Sequence, residues 1–484
     1  MNYAMIFQTL GYGMIVEAGL MIFSLIVSLI HGEFSAVEAL AATIGSLAVL
    51  GFALSRIRPK NRQFYARDGF VVVTLLWLIF TAFGALPFVL CRVIPNYVDA
   101  YFEIMSGFTT TGASILLDLD VVPRGLMFWR CMTQWVGGMG VLVFMLAVLP
   151  MSNDSSMHLM RAEVPGPTKG KLVPRMRTTA VTLYLIYVAM SLIQMVLLWA
   201  GGMPLYEAIT YTFNTASTGG FFVTNSAIAG YDSVYLEVVI TVFMLLFGVN
   251  FYCYYLVLTG KWNKAFMNEE VLWYFGIAIT MMVVLALTAM GQEGGFWKAL
   301  RYSSFTVSSL MTTTGFSIND YNLWPQVSRS LILVVCLLGG CAGSTAGGPK
   351  TSRLIIMWKS LLRELRLMIR PRAVQQVRMD AKPLEEDTIR GTVYFMIAHM
   401  FILVLSFVLV SFDNLCPEDT VSAVISCLNN VGPGLGVVGP AGSYASLSYF
   451  SKIVLTLDML LGRLEIFPIL LSVMTLTKRV RSYR

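Results

Sequence analysis

Two stretches of nearly the same sequence decide the fold of this chain: FTTTGAS at Phe108–Ser114 and LMTTTGFS at Leu310–Ser317. Each joins hydroxyl-bearing residues to a glycine within a sequence that is otherwise strongly apolar. A single such stretch is typical of close packing between membrane helices, because small residues let two backbones approach each other. Its return in a distant part of the chain indicates a repeated structural element instead.

The composition is that of a membrane protein. Of 484 residues, 57% are hydrophobic and only 13% are charged, and the mean hydropathy is +0.72. A soluble domain could not cover so much apolar surface. Runs of about 20 apolar residues recur, enough to cross a hydrocarbon core of roughly 30 Å. We therefore predict an all-α polytopic membrane protein, and no small-residue cleavage site follows the first apolar run to indicate a removable signal.

The charges predict the topology. Ten spans are expected, at 5–30, 36–55, 69–93, 126–150, 179–201, 234–258, 271–291, 328–358, 391–412 and 450–476. Alternate connections and the chain end hold 26 of the 34 Lys and Arg residues, and the positive-inside rule makes those connections cytoplasmic. Both termini are then cytoplasmic. The net charge of +7 is explained by this arrangement, so we expect contact with membrane lipid and no nucleic-acid partner.

The chain after the second span divides into four units of one design, each a span, a short outside segment and a second span. The outside segments are too short to cross a bilayer, and each ends in small polar residues and a glycine. We align Gly112, Gly219, Gly315 and Gly432. The resulting division is an N-terminal two-span domain at 1–68 and repeats at 69–178, 179–270, 271–390 and 391–484.

Short helices that enter the membrane and stop would suit cation selection. Their C-terminal ends carry partial negative charge, and extended backbone beyond them offers carbonyl oxygens that can replace the water around an ion. Glycine fits there because it accepts positive φ. The predicted selectivity filter around a central pore consists of Thr110, Thr111, Gly112, Ser217, Thr218, Gly219, Thr313, Thr314, Gly315, Asn430, Val431 and Gly432.

The loops TTTG, STGG, TTTG and NVGPG, in four span–loop–span units, resemble those of the Trk/Ktr/HKT potassium transporters. The two additional N-terminal spans make the chain most similar to the bacterial TrkH subunits. The resemblance implies K⁺ as the transported ion, with no organic cofactor, in the bacterial inner membrane. It also implies a homodimer regulated by a TrkA-like cytosolic nucleotide-binding ring. The long basic connection Lys350–Arg390 is a candidate docking surface for that ring, and no phosphate-binding fingerprint occurs in this chain itself.

A glycine-rich stretch, LLGGCAGSTAGGPK, interrupts the second span of the third unit. Glycine costs about 1 kcal/mol relative to alanine inside a helix, so five glycines in ten residues favour unwinding. Tight helix packing is the alternative interpretation. The resemblance implies a gating loop below the filter, and the predicted gate residues are Gly339, Gly340, Gly343, Ser344, Thr345, Gly347, Gly348 and Lys350.

Arg463, within the predicted last span, completes the predicted gate. A charge at this depth normally faces protein or water. It could pair with Asp458 or Glu465, or act as a fixed positive charge that slows cations, which is the role that the resemblance implies; the two are compatible. Arg130 lies near the outer end of its span, where it could snorkel to the interface.

Two other functions fit the sequence less well. A sodium-permeable or H⁺- or Na⁺-coupled transporter of the same fold remains the alternative, although four filter glycines go with potassium in this family. An intramembrane enzyme would need a base beside its Thr or Ser nucleophile. No such residue recurs beside the four loops, so we expect no enzyme.

Overall fold

The structure, a computed structural model, describes residues 2–58, 66–140, 176–372 and 375–477. It is helical apart from one short antiparallel hairpin, β1 (Arg378–Met379) with β2 (Lys382–Pro383). The helices, numbered within these residues, are α1 Tyr3–His31, α2 Phe34–Ser55, α3 Ala66–Leu90, α4 Tyr97–Phe108, α5 Arg124–Gly138, α6 Met176–Ala200, α7 Leu205–Ala216, α8 Val234–Phe247, α9 Phe251–Leu258, α10 Trp262–Phe266, α11 Glu269–Glu293, α12 Phe296–Met311, α13 Gln326–Cys336, α14 Thr351–Ile369, α15 Glu386–Val410, α16 Pro417–Leu428, α17 Tyr449–Arg463 and α18 Phe467–Thr477.

Six of these helices are long and apolar enough to cross a membrane: α1, α2, α3, α6, α11 and α15. They correspond to six of the ten predicted spans. The prediction of unbroken spans at 234–258 and 450–476 is wrong, whereas the span at 328–358 unwinds where its glycines predicted it would. The span predicted at 234–258 is the pair α8 and α9, bent by 92°. The spans predicted at 328–358 and 450–476 are each broken into two helices.

The breaks within the described residues occur in the second spans of the second, third and fourth units. Helix α5 ends at Gly138, and the remainder of the span predicted at 126–150 lies outside the described residues. Between α8 and α9, Asn250 accepts a hydrogen bond from the backbone of Tyr252 at 2.9 Å and so caps the new helix. Between α17 and α18, Glu465 and Ile466 have φ of 57° and 46°. Non-helical backbone at membrane depth is tolerated where protein groups satisfy it.

A short helix precedes each broken span. These four pore helices, α4, α7, α12 and α16, have 12, 12, 16 and 12 residues. Each enters from a connection and ends in the interior, where the residues that follow are buried. Span and pore helix thus succeed each other four times within the described residues, and a broken span follows in the second, third and fourth units.

The first two helices pack against the first unit. Helices α1 and α2 form a tight antiparallel hairpin in which a Cβ on Gly51 would lie 2.9 Å from the carbonyl oxygen of Gly11. Helix α1 also packs on α3 and α5. Two of the basic segments lie outside the described residues: the connection Met151–Thr178, apart from its last three residues, and the terminal segment Lys478–Arg484. Their predicted topology stays a prediction.

Candidate functional site

The four loops that follow the pore helices share one backbone conformation. One residue after each helix cap adopts the left-handed region, with φ of 53°, 54°, 58° and 56° at Thr110, Thr218, Thr313 and Asn430. Two residues later comes a glycine with positive φ, of 82°, 68°, 85° and 97° at Gly112, Gly220, Gly315 and Gly432. The four loops are therefore equivalent in backbone structure as well as in sequence.

The hydrogen bonds fix the register between the loops. The residue before each glycine donates its backbone N–H to the carbonyl oxygen five residues earlier, at 2.7–2.9 Å: Thr111 to Ser106, Gly219 to Asn214, Thr314 to Ser309 and Val431 to Ser426. In the second loop Gly219 thus corresponds to Thr111, and Gly220 corresponds to Gly112. The predicted alignment of Gly219 with Gly112 is wrong by one residue, because two adjacent glycines left the register open.

The four loops close into a ring. Each of these glycines lies against the next loop, where a Cβ on it would clash with a main-chain carbonyl oxygen. That oxygen belongs to the residue just before the next loop's own glycine. The pairs are Gly112 with Gly219, Gly220 with Thr314, Gly315 with Val431, and Gly432 with Thr111. The fourth contact returns to the first loop. Since only a hydrogen fits at each of these points, the ring is formed by main chain against main chain.

Buried side chains brace the ring from outside. The hydroxyls of Thr109 and Thr111 lie 2.8 Å apart, and the same distance separates those of Thr312 and Thr314. The amide of Asn430 donates to the Thr111 hydroxyl at 3.0 Å, which ties the fourth loop to the first. Hydrogen-bonded polar groups of this kind specify one arrangement of a buried structure.

An ion pair that the sequence did not reveal holds the outer side of the first loop. Arg130 donates to the Glu103 carboxylate at 2.7 Å, and both side chains are buried. Arg130 also donates to the carbonyl oxygen of Phe222 in the second loop, at 2.8 Å, while Glu103 accepts from Ser114 at 2.9 Å and from the backbone of Ile115 at 2.8 Å. Arg130 does not snorkel, which the sequence had left open, since it is 1% exposed and has the structural role of joining two loops.

The glycine-rich segment, residues 337–350, is unwound. It lies against the side of the ring on which the pore helices end. The backbone N–H of Gly347 donates to the Thr313 hydroxyl at 2.6 Å. A Cβ on Gly347 would lie 2.5 Å from the carbonyl oxygen of Asn429. Left-handed backbone at Gly339, Gly343 and Gly348 lets the segment fold back on itself.

The second broken span anchors the same segment. The backbone of Cys341 donates to the carbonyl oxygen of Gly248 at 2.9 Å, and Thr345 donates to that of Phe247 at 3.2 Å. The buried Lys350 ammonium donates to the carbonyl oxygen of Ala346. The buried carbonyl oxygens at the end of α8 thus accept hydrogen bonds from the glycine-rich segment.

Arg463 lies at the C-terminal end of α17, beside the glycine-rich segment. Its guanidinium donates to the carbonyl oxygen of Thr345 at 2.8 Å and to that of Gly138 at 2.6 Å. Of the two carboxylates expected as partners, Glu465 forms an ion pair with Arg353 and Asp458 accepts from Ser406 at 2.7 Å. The arginine therefore fixes the segment to the end of α5, below the first loop.

Within the described residues, no group of three or more His, Cys, Asp or Glu side chains could hold a metal ion. The ring itself presents neutral hydroxyl, amide and main-chain groups. Four helix C-termini converge on it, and their partial negative charge favours a cation without any carboxylate.

Fold and ring together define a multi-pass membrane transport protein in which four short helices end at one buried ring. Residues 36–480 match the family described as "TrkH: Cation transport protein", and the chain belongs to that family. It is 34% identical to the Trk system potassium uptake protein TrkH of Salmonella typhimurium over 476 residues, which cover 97% of this chain and 98% of the relative. The Trk system potassium uptake protein TrkG of Escherichia coli K12 is 31% identical over 457 residues, or 92% and 93% of the two chains.

A solved structure is similar over the whole chain. The crystal structure of the potassium transporter TrkH from Vibrio parahaemolyticus superposes with a TM-score of 0.87, at 28% sequence identity and over 99% of both chains. The resemblance to TrkH drawn from the loops is therefore confirmed, as is the all-α polytopic membrane fold.

Proposed function

We propose that this protein takes up K⁺ across the bacterial inner membrane through the ring of four loops. The closed ring of glycine-to-carbonyl contacts carries the proposal. It sets main-chain groups at the converging ends of four pore helices, where negative dipole ends and carbonyl oxygens can replace the water around a large monovalent cation. The relatives named as potassium uptake proteins support the choice of ion. Transport rather than catalysis is the proposed activity.

The glycine-rich segment with Arg463 is the proposed gate. It lies directly under the loops, held by Gly347 to Thr313 and by Thr345 to Arg463. The arginine adds a fixed positive charge on the path of a cation. Opening then requires that these hydrogen bonds break together, so the segment moves as one piece.

Regulation and assembly are proposed from the cytoplasmic side. Both termini are placed in the cytoplasm, and two copies are expected to form a homodimer. Helix α14 carries exposed Trp358, Leu361 and Leu365 beside its basic residues, a mixed surface suited to a TrkA-like nucleotide-binding ring. The basic residues also suit anionic lipid headgroups.

The first experiment is ⁸⁶Rb⁺ uptake into proteoliposomes that contain the purified chain, with excess K⁺ or Na⁺ as competitor. Competition by K⁺ but not by Na⁺ is expected. Equal competition would establish the alternative of a sodium-permeable pore, and uptake that depends on a proton or sodium gradient would establish coupled transport. If no uptake occurs, the cytosolic ring is added before the result is scored.

A deletion tests the gate separately. Removal of Gly343–Gly347 is expected to raise uptake, because it takes away the Gly347 and Thr345 contacts beneath the ring. Lower uptake by a variant that still elutes as the wild type in size-exclusion chromatography would make the segment a packing element rather than a gate.

A further inference from the structure

A carboxyl group without a partner lies near the middle of the first membrane helix. Glu17 on α1 is 0% exposed, and neither of its carboxyl oxygens has a hydrogen-bond partner among the described residues. Buried polar groups are nearly always hydrogen-bonded, and an isolated carboxylate is very costly in apolar surroundings. A carboxyl in this position is stable as the neutral acid.

Glu17 lies beside the end of the first pore helix. Glu17, Ile104 and Phe108 all approach Gly84 on α3. A Cβ on Gly84 would lie 3.5 Å from a carboxyl oxygen of Glu17, 3.0 Å from the side chain of Ile104 and 3.3 Å from the ring of Phe108. Phe108 is the last residue of α4 and directly precedes the first loop of the ring. A charge on Glu17 would therefore act on the C-terminal end of a pore helix.

The same face of α1 continues in polar residues toward the connection with α2. Ser24 and Ser28 follow Glu17 by two and three turns, are buried, and have hydroxyls without a partner in the part of the chain that the structure describes. Ser28 packs against Gly125, whose backbone donates to Glu33 at 3.0 Å. Buried waters bind polar groups that lack a protein partner, and these two hydroxyls lie between the partly exposed Glu33 and Glu17.

The other titratable groups around α1 lie near helix ends or are paired, among the described residues. The charged residues on α2, α3 and α5, or adjoining their ends, are Glu33, Glu38, Arg56, Arg58, Arg67, Asp68, Arg92, Arg124 and Arg130, and α4 adds Asp99 and Glu103. All but Arg130 and Glu103 lie near helix ends, and those two form an ion pair. The remaining titratable side chains of these helices are Tyr3, Tyr12 and His31 on α1, Tyr97 and Tyr101 on α4, and Cys131 on α5.

We propose that Glu17 is a proton-binding site, reached from the side on which the pore helices enter, and that its ionisation raises cation flux through the ring. A hydronium ion gives its proton to a carboxylate oxygen of Glu17 and leaves as water; the reverse step restores the carboxylate. The negative charge so formed has the same sign as the adjacent helix end, and it strengthens the attraction of the ring for a cation. This inference rests on the proposed cation transport.

Protonation of Glu17 is measured by a method that does not depend on ion transport. Infrared difference spectra of the reconstituted protein, recorded between acidic and alkaline buffer, are expected to contain a carboxylic acid C=O band that Glu17→Gln removes. Glu38→Gln is the matched control, because it removes the same charge from an exposed position on α2. A band that is unchanged in Glu17→Gln, or absent from the wild type, overturns the assignment whatever the transported ion is.

The effect on transport is measured on the same samples. We expect ⁸⁶Rb⁺ uptake by the wild type and by Glu38→Gln to rise severalfold as the pH on the pore-helix side is raised, and uptake by Glu17→Gln to stay at the low-pH level. An equal rise in Glu17→Gln refutes the link to flux. If Glu17→Gln does not assemble, Glu17→Asp, which keeps the acid, must shift the pH of the rise; an unshifted profile overturns the proposal as well.

Discussion

The backbone N–H of Gly347 donates a hydrogen bond of 2.6 Å to the hydroxyl of Thr313. One residue belongs to the unwound segment of the third unit, and the other follows the pore helix of that unit. The contact makes a residue of the proposed filter the anchor of the proposed gate. Changes at the anchor should therefore affect opening before they affect the choice of ion.

Replacing Thr313 by Val tests this anchor. The substitution leaves a buried N–H without its acceptor, at a cost of about 1–3 kcal/mol, and it loosens the segment at its point of contact with the ring. Uptake of ⁸⁶Rb⁺ should increase while competition by K⁺ over Na⁺ stays as in the wild type. Thr280→Val, on an exposed face of α11, is the control. Unchanged uptake with lost selectivity would assign Thr313 to the filter alone.

Arg463→Gln should raise cation uptake, because it removes both a positive charge and a guanidinium that donates to Thr345 and Gly138. Arg463→Lys keeps the charge but not the planar fork of donors, so its uptake should fall between those of the wild type and Arg463→Gln. Flux assays at equal protein density separate the two contributions. Were both variants to match the wild type, Arg463 would have no part in the gate.

The register of the second loop gives a third prediction. Gly220→Ser should weaken K⁺ over Na⁺ competition as strongly as Gly112→Ser does, since each places a side chain against a carbonyl oxygen of the ring. A side chain at Gly219 instead meets Gln134, so Gly219→Ser should have the smaller effect. Gly276→Ser, where nothing lies within 4 Å of a Cβ, controls for expression. A larger effect at Gly219 than at Gly220 would favour the alignment drawn from sequence.

The buried pair of Arg130 and Glu103 should be a stability determinant. Glu103→Leu leaves the arginine charge buried without its partner, which costs about 3–5 kcal/mol, and thermal unfolding in detergent should occur at a clearly lower temperature. Adding Arg130→Met should recover much of the loss, because the second change removes the orphaned charge. A single variant as stable as the wild type would show that the pair contributes little.

An element of this structure can be predicted from the sequence where the residues that determine it lie close together in the chain. The four pore helices carry their own signals, a short helical segment and a final glycine, and the five glycines of residues 339–348 indicate an unwound stretch. The break at Glu465 and Ile466 has a partial signal, because Pro468 predicts that a helix ends just before it, but the residue types of Glu465 and Ile466 do not predict their left-handed backbone. The pairing of Glu103 with Arg130 across two helices is likewise a product of tertiary structure. Glu17 has a local signal, since it is an ionisable residue within an apolar run, but its burial without a hydrogen-bond partner is a product of tertiary structure.

The ring of loops has a consequence for divergence among the four units. Its circumference is determined by van der Waals contacts between glycine backbone and carbonyl oxygens, and not by the size of any side chain. Thr111, Thr314 and Val431 can therefore differ while the aperture keeps its diameter; a side chain at Gly219 would meet Gln134. A duplicated gene segment could drift at these positions without changing the size of ion that passes, whereas the four glycines between them tolerate no such drift.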